Sequence, residues 1–147
     1  MTELPSVKNK VFVDSNVLIY GHDKDAGAKH VTANKILREL WDSETGVLSM
    51  QVLQEFYTVV TRKIGTPLPK SIARVFVEEY ATWWIETTPI EISSAFRIED
   101  IAKISFWDAL IVAAAVKSGA KEILSEDMNA GQVIAGVRIV NPFASLP

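Results

Sequence analysis

Lys10-Val11-Phe12-Val13-Asp14-Ser15-Asn16-Val17-Leu18-Ile19 decides the fold class, because an apolar run stops at an acid and two small polar residues. This is the pattern of a buried strand that ends at a strand-to-helix turn. In an open α/β sheet, ligands bind beyond the carboxyl ends of the strands, which makes Asp14 a candidate site residue. An acid in that place is also an ordinary helix cap. The choice between the two depends on whether the rest of the chain sends partners to Asp14.

Beyond Asp14 the sequence reads as a short helical turn at 17–20 and a polar loop at 22–27. A helix over about 29–41 follows, with Val31, Ile36, Leu37 and Leu40 on its apolar side. A strand at 46–50 and a helix at 51–63 complete a strand-helix-strand-helix alternation, the signature of a parallel sheet. Gly65-Thr66-Pro67-Leu68-Pro69 interrupts it. A further helix starts near Lys70 with Ile72, Val75, Phe76, Tyr80 and Trp83 at helical spacing, so two successive helices form a hairpin. A short strand within 84–90 and a helix over 91–103 are expected next. Ser105-Phe106-Trp107-Asp108 opens a helix whose run 109–116 is apolar on every side, which predicts a central helix covered all round. Strands at 121–125 and 136–140 end the chain. Together these elements predict an α/β fold, a central parallel sheet flanked by helices, in one domain over 1–147.

Composition supports that class. The chain has 147 residues, 48% hydrophobic and 22% charged, which suits one core that buries roughly 68–70% of the unfolded surface and leaves no sizeable disordered tail. It has no cysteine, which excludes disulfides and thiolate zinc sites and favours a reducing compartment. Two histidines argue against a His-based metal centre. Residues 1–9 are polar and lack an apolar signal segment, and no apolar run approaches the ~20 residues that span a bilayer. A cytoplasmic protein that does not engage a membrane is expected.

Three further acids lie where a free surface charge is awkward. Glu55 is on the Val52 and Val59 side of its helix, where it would otherwise be a flanking charge that reaches water. Asp108 shares a stripe with Ile111, Val112 and Ala115, and its alternative role is the last member of the capping box Ser105-Phe106-Trp107-Asp108. Asp127, beside Glu126, follows the Ile123-Leu124 strand as Asp14 follows the first, and a turn acid is the plainer alternative. In a parallel sheet with right-handed crossovers, strand ends and helix starts gather at one edge, so Asp14, Asp108 and Asp127 converge there and Glu55 reaches in. Two carboxylates ~4 Å apart repel by roughly 4 kcal/mol at an effective dielectric near 20, so such a group needs a cation. Oxygen ligands without sulfur or imidazole suit Mg²⁺ or Mn²⁺, which can polarise a phosphodiester and supply a hydroxide for in-line attack. The net charge of −3 is compatible with an anionic substrate: with Asp14, Glu55, Asp108, Glu126 and Asp127 set aside from the 18 acids, 13 remain against 15 basic residues.

Four blocks in this order, Phe12-Val13-Asp14-Ser15-Asn16-Val17-Leu18, Leu53-Gln54-Glu55-Phe56, Ser105-Phe106-Trp107-Asp108-Ala109-Leu110-Ile111 and Leu124-Ser125-Glu126-Asp127-Met128-Asn129-Ala130-Gly131-Gln132, resemble the PIN-domain nucleases. They look most like the VapC-type ribonuclease toxins of bacterial toxin-antitoxin pairs. The resemblance covers essentially the whole chain and extends to Val137-Arg138-Ile139-Val140-Asn141-Pro142-Phe143. It implies a three-layer α/β/α fold and a metal-dependent endoribonuclease with an RNA substrate. It also implies a homodimer and inhibition by a separately encoded antitoxin. By position, Asp14, Glu55, Asp108 and Asp127 correspond to the family's acids, with Asp14, Asp108 and Asp127 as metal ligands. Asn16 is a nearby polar orienter, and Ser15 and Glu126 are secondary.

Two other classes compete. A receiver-type phosphoacceptor module would carry an acidic pair near the first strand and a Lys ending the last, where this chain has Ser15-Asn16 and Asn141-Pro142. A binding module with an inactive, structural acid cluster is the other. A haloacid-dehalogenase-like phosphatase would need an Asp where Asn16 stands. Trp83, Trp84 and Phe56 are candidates for a partner surface or for plain core. Arg62, Lys63, Arg74, Arg97 and Lys103 are unranked candidates for RNA contact.

Overall fold

Val11–Val13 is strand β1 in the computed structural model, which describes residues 9–147. The polar opening read at residues 1–9 therefore lies, apart from Asn9, outside the described residues. Asp14 keeps an extended backbone and caps α1, Ser15–His22, so strand passes directly to helix. The expected turn at 17–20 is a two-turn helix, held by that cap and by buried Val17 and Leu18. Helix α2, Ala28–Ser43, begins after Gly27, whose φ of 61° favours glycine, and leads to β2, Gly46–Val47. This strand is shorter than the expected 46–50 because Ser49 becomes the N-cap of α3, Met50–Arg62, with its Oγ accepting the Val52 N–H at 3.4 Å.

Helix α4, Lys70–Tyr80, packs on α3 as the expected hairpin and runs into a 3₁₀ turn at Ala81–Trp83. The strand expected within 84–90 is reduced to a single bridge, Leu48 to Trp84, because the capping box of Thr88 and Glu91 already starts α5, Pro89–Ala102. Then come α6, Phe106–Ser118, β3, Glu122–Leu124, β4, Val133–Ile134, and β5, Val137–Val140. The sheet order is β2-β1-β3-β5-β4. The first four are mutually parallel, and β4 is antiparallel to β5 across the tight turn at Ala135-Gly136. The all-parallel expectation is corrected at this edge alone. Two strand residues are too few to show a period in the sequence.

From β1 the chain goes to β2 on one side and later returns to β3 on the other. The gap between β1 and β3 is thus the point where the strand order switches, and Val13 is in register with Leu124 there. A three-layer α/β/α domain results. Phe12, Leu18, Leu48, Phe56, Ile123 and Ile139 are fully buried between the layers. Phe56 and Trp83, offered above as possible partner surface, belong to this core, whereas Trp84 is 45% exposed. Helix α6 is buried along Ala109 and 111–115, yet Trp107 and Val116 at its two ends face out, so it is not covered all round. Its apolar faces exceed what the sheet and α5 can cover.

Trp83 packs at 5.7 Å from the Trp41 ring and 5.2 Å from Tyr80, and its indole presses on the β2 backbone at Gly46. A Cβ at Gly46 would lie 2.8 Å from two atoms of that rigid ring. Gly46→Ala is therefore expected to destabilise the protein by about 1–3 kcal/mol, read as a lower urea midpoint at unchanged m-value.

Candidate active site

The pairing of β1 with β3 builds the site. The Asp14 N–H donates to the Leu124 carbonyl at 3.0 Å, so the residues leaving the two strands, Asp14 and Ser125, stand side by side. Ser125 is fully buried, and its hydroxyl donates to Asp14 Oδ2 at 2.7 Å. Ser125 Oγ in turn accepts the N–H groups of Asp127 at 3.2 Å and Met128 at 3.3 Å, which folds the loop after β3 back over Asp14. The second carboxylate oxygen, Oδ1, accepts the Ser15 N–H at 2.8 Å.

Asn16 joins the strand ends from above. Its Oδ1 accepts the Glu126 N–H at 3.0 Å, which turns Nδ2 toward acceptors. Nδ2 lies 3.3 Å from Asp14 Oδ2 and 3.2 Å from Asp127 Oδ2, so the amide bridges two carboxylates. The expectation that Asn16 orients the acids thus has a geometry, and Ser15 acts through its backbone.

Asp14 is 6% exposed, and its pKa is pushed up to about 6. Burial is the main cause, opposed by the hydrogen bonds from Ser125 and Ser15 and reinforced by the negative charges of Glu55 and Asp127. Three of the four expected acids therefore share one electrostatic field. Glu55 itself is exposed on α3. Asp108 is not among the charges that act on Asp14. It occupies the first turn of α6 with its N–H on Ser105 Oγ at 3.1 Å, half of the capping box, while its side chain stays partly exposed. Among the described residues no three Asp, Glu or His side chains stand close enough to form a ready ligand group. The donors around Asp14 are all oxygen, and a hard divalent cation would relieve both the burial and the repulsion that raise Asp14, so the residues fit such an ion.

Glu126 turns away from this cluster. Its Oε1 accepts from Lys29 Nζ at 2.9 Å and Tyr20 OH at 3.2 Å, while its Oε2 is buried without a partner. Sequence reasoning gave no role to Ser125, Tyr20 or Lys29. Lys29 and Glu126 are 97 positions apart, and nothing short of the β1–β3 pairing brings them together.

The PIN domain profile matches residues 11–133. The chain belongs to the PIN domain family. No curated protein sequence matches it significantly. Among solved structures, this PIN domain is similar to VapC20 of Mycobacterium tuberculosis, a Sarcin-Ricin loop cleaving toxin. Identity is 23% over 88% of this chain and 99% of that one, with a TM-score of 0.60. It is similar to a chain of a toxin-antitoxin complex from Klebsiella pneumoniae, at 18% identity over 90% and 98% of the two chains and a TM-score of 0.62. A third is VapBC2 of Rickettsia felis bound to a DNA fragment from its promoter, at 15% identity, 89% and 97% coverage and a TM-score of 0.62. These likenesses show the fold, and family membership overturns the receiver-type reading.

The raised Asp14 pKa has a measurable sign. Stability it confers is full below the unfolded value near 4 and is lost as pH rises through about 6. Without divalent metal, Asp14→Asn is expected to match wild type near pH 4 and exceed it by about 3 kcal/mol above pH 7, measured by urea unfolding in chelator. His22, caged by Phe56, Phe76 and Tyr80 and pushed down by burial to about 4, has the opposite slope, losing stability as pH falls from about 6.5. The two slopes oppose each other between pH 4 and 6, so Asp14→Asn is expected to uncover the acid sensitivity that His22 contributes.

Proposed function

We infer that this PIN-domain protein is a divalent-metal-dependent endoribonuclease and the toxin of a toxin-antitoxin pair, restrained by a separately encoded antitoxin. The observation that carries the reading is Asp14, a buried carboxylate at the switch point of the sheet, held by Ser125 and Ser15 and facing the charges of Glu55 and Asp127. Family membership and the toxin folds it resembles support the same reading. Asp14, Asp108 and Asp127 would hold the ion, and Glu55 would act beside it. Mg²⁺ or Mn²⁺ bound there would offset the clustered negative charge and polarise a phosphodiester toward attack by water.

The chain's own residues set the stage for that chemistry. Ser125 and the Ser15 N–H fix both Asp14 oxygens, which removes the rotamer freedom a reacting centre cannot tolerate. Asn16 keeps Asp14 and Asp127 in one arrangement despite their repulsion. Substrate phosphates would meet basic side chains on the surface, among which Arg62 is exposed on the same stripe of α3 as Glu55, seven residues on.

Partner binding has support on α5 and α6. Ile90, Phe96, Ile101 and Trp107 are all more than half exposed, a concentration of large apolar side chains that a lone soluble domain seldom displays. A homodimer and an antitoxin both need such surface. No described helix is long and apolar enough to cross a membrane, and a cytoplasmic site of action is part of the proposal. A second reading, a PIN fold that binds without cutting, is favoured by one observation: among the described residues no three acids are gathered as a ready ligand set.

Cleavage decides between them. Purified wild type with Mg²⁺ or Mn²⁺ is expected to cut RNA and, expressed alone, to stop growth. Asp14→Asn and Asp108→Asn should fall below roughly one hundredth of that rate, the scale of removing a charge-stabilising group at a reacting centre, while remaining folded. RNA left intact by wild type in both metals, with no growth defect, sinks the nuclease reading.

A further inference from the structure

Residues 125–127 send three consecutive side chains to three different places. Ser125 bonds Asp14, Asp127 meets the Asn16 amide, and Glu126 between them points to α1 and the start of α2. There Lys29 Nζ pairs with Glu126 Oε1 at 2.9 Å and lies 5.1 Å from the centre of the Tyr20 ring. Tyr20 in turn packs edge-on against Phe143 at 5.2 Å, and its hydroxyl donates to the same Oε1. Both donors act on one oxygen, while Oε2 is buried and unpartnered.

A buried acceptor without a partner costs free energy, and a Glu near the surface would ordinarily swing its carboxylate to water. Here Lys29 and Tyr20 hold it. Two consequences follow. A fourth carboxylate is kept out of the field already shared by Asp14, Glu55 and Asp127, where it would add repulsion or compete for a cation. The Glu126 N–H is also fixed on Asn16 Oδ1, and that bond decides which end of the amide faces the acids, because Nδ2 can donate to carboxylates only while Oδ1 is turned to the N–H.

We propose that Lys29 and Tyr20 are positioning residues of the active site, acting through Glu126 to set the Asn16 amide and the Asp127 carboxylate. The proposal rests on the nuclease reading for its kinetic consequence and stands on geometry alone for its structural one. Outer partners of site ligands in other proteins are worth roughly 10- to 100-fold in affinity or activity, and a loss in that range is expected here.

Two measurements on the full chain test it. In metal-free protein the Asn16 side-chain amide is followed by ¹H–¹⁵N NMR in wild type, Lys29→Met, Tyr20→Phe, Lys29→Arg and the exposed control Lys24→Met. Lys29→Met and Tyr20→Phe are expected to shift or broaden the Asn16 NH₂ pair, Lys29→Arg to restore it, and Lys24→Met to leave it unchanged. RNA cleavage is then measured with Mg²⁺: Lys29→Met should lower kcat by roughly tenfold or more with KM within about twofold, and Lys29→Arg should recover most of the rate. Unmoved Asn16 resonances in Lys29→Met overturn the proposal. So does a kcat within twofold of wild type where Asp14→Asn is inactive. A wild type that cuts no RNA overturns the nuclease reading instead, and the amide signal then decides the clamp by itself.

Discussion

One backbone pairing carries the site: β1 beside β3, with Val13 in register with Leu124. From it comes the 2.7 Å bond from Ser125 to Asp14, and from that bond the fold of the 125–128 loop over the first strand's end. A slip of one residue along either strand would turn every side chain beyond it to the opposite face. Phe12 and Ile123 guard against the slip, because both are fully buried and each would have to repack on the opposite face of the sheet, where Val13 and Leu124 already fill the core. Site precision is thus a by-product of core packing, which is stiff on the scale of a methyl group.

The same pairing imposes a cost. Asp14 is buried among other negative charges, and its carboxyl is held at a pKa of about 6 rather than in the ordinary range. A protein built only to be stable would place Asn there. The divalent cation of the proposed function would offset that cost. The hydroxyl of Ser125 and the amide of Asn16 moderate the charge without removing it. Lys29, the cation bonded into this network among the described residues, neutralises Glu126 and leaves Asp14, Asp127 and Glu55 uncompensated.

The helices divide their tasks accordingly. α1 and α2 present polar groups to the loop after β3, while α3 lends Glu55 and buries Val52, Phe56 and Val60. α5 and α6 pack on each other and carry exposed Ile90, Phe96, Ile101 and Trp107, the last beside Asp108 in the first turn of α6.

The sequence by itself determined the class of fold, and it named the acids from which the proposed site is built. Apolar strands stopping at Asp14 and at Glu126-Asp127 are local patterns, and local patterns survive without knowledge of neighbours. The four motif blocks carried the family for the same reason. Strand lengths, the antiparallel β4, and which of Phe56, Trp83 and Trp84 stays exposed were not legible, because each is settled by what packs against the element and not by its own period. Only the tertiary structure decided that Ser125, a small hydroxyl with no signal of its own, is the residue bonded to Asp14. Only it could turn Glu126 outward to Lys29. Asp14 was readable as an acid after a strand; that it is a buried, strained acid facing Glu55 and Asp127 depends on distances that 147 residues in a line do not contain.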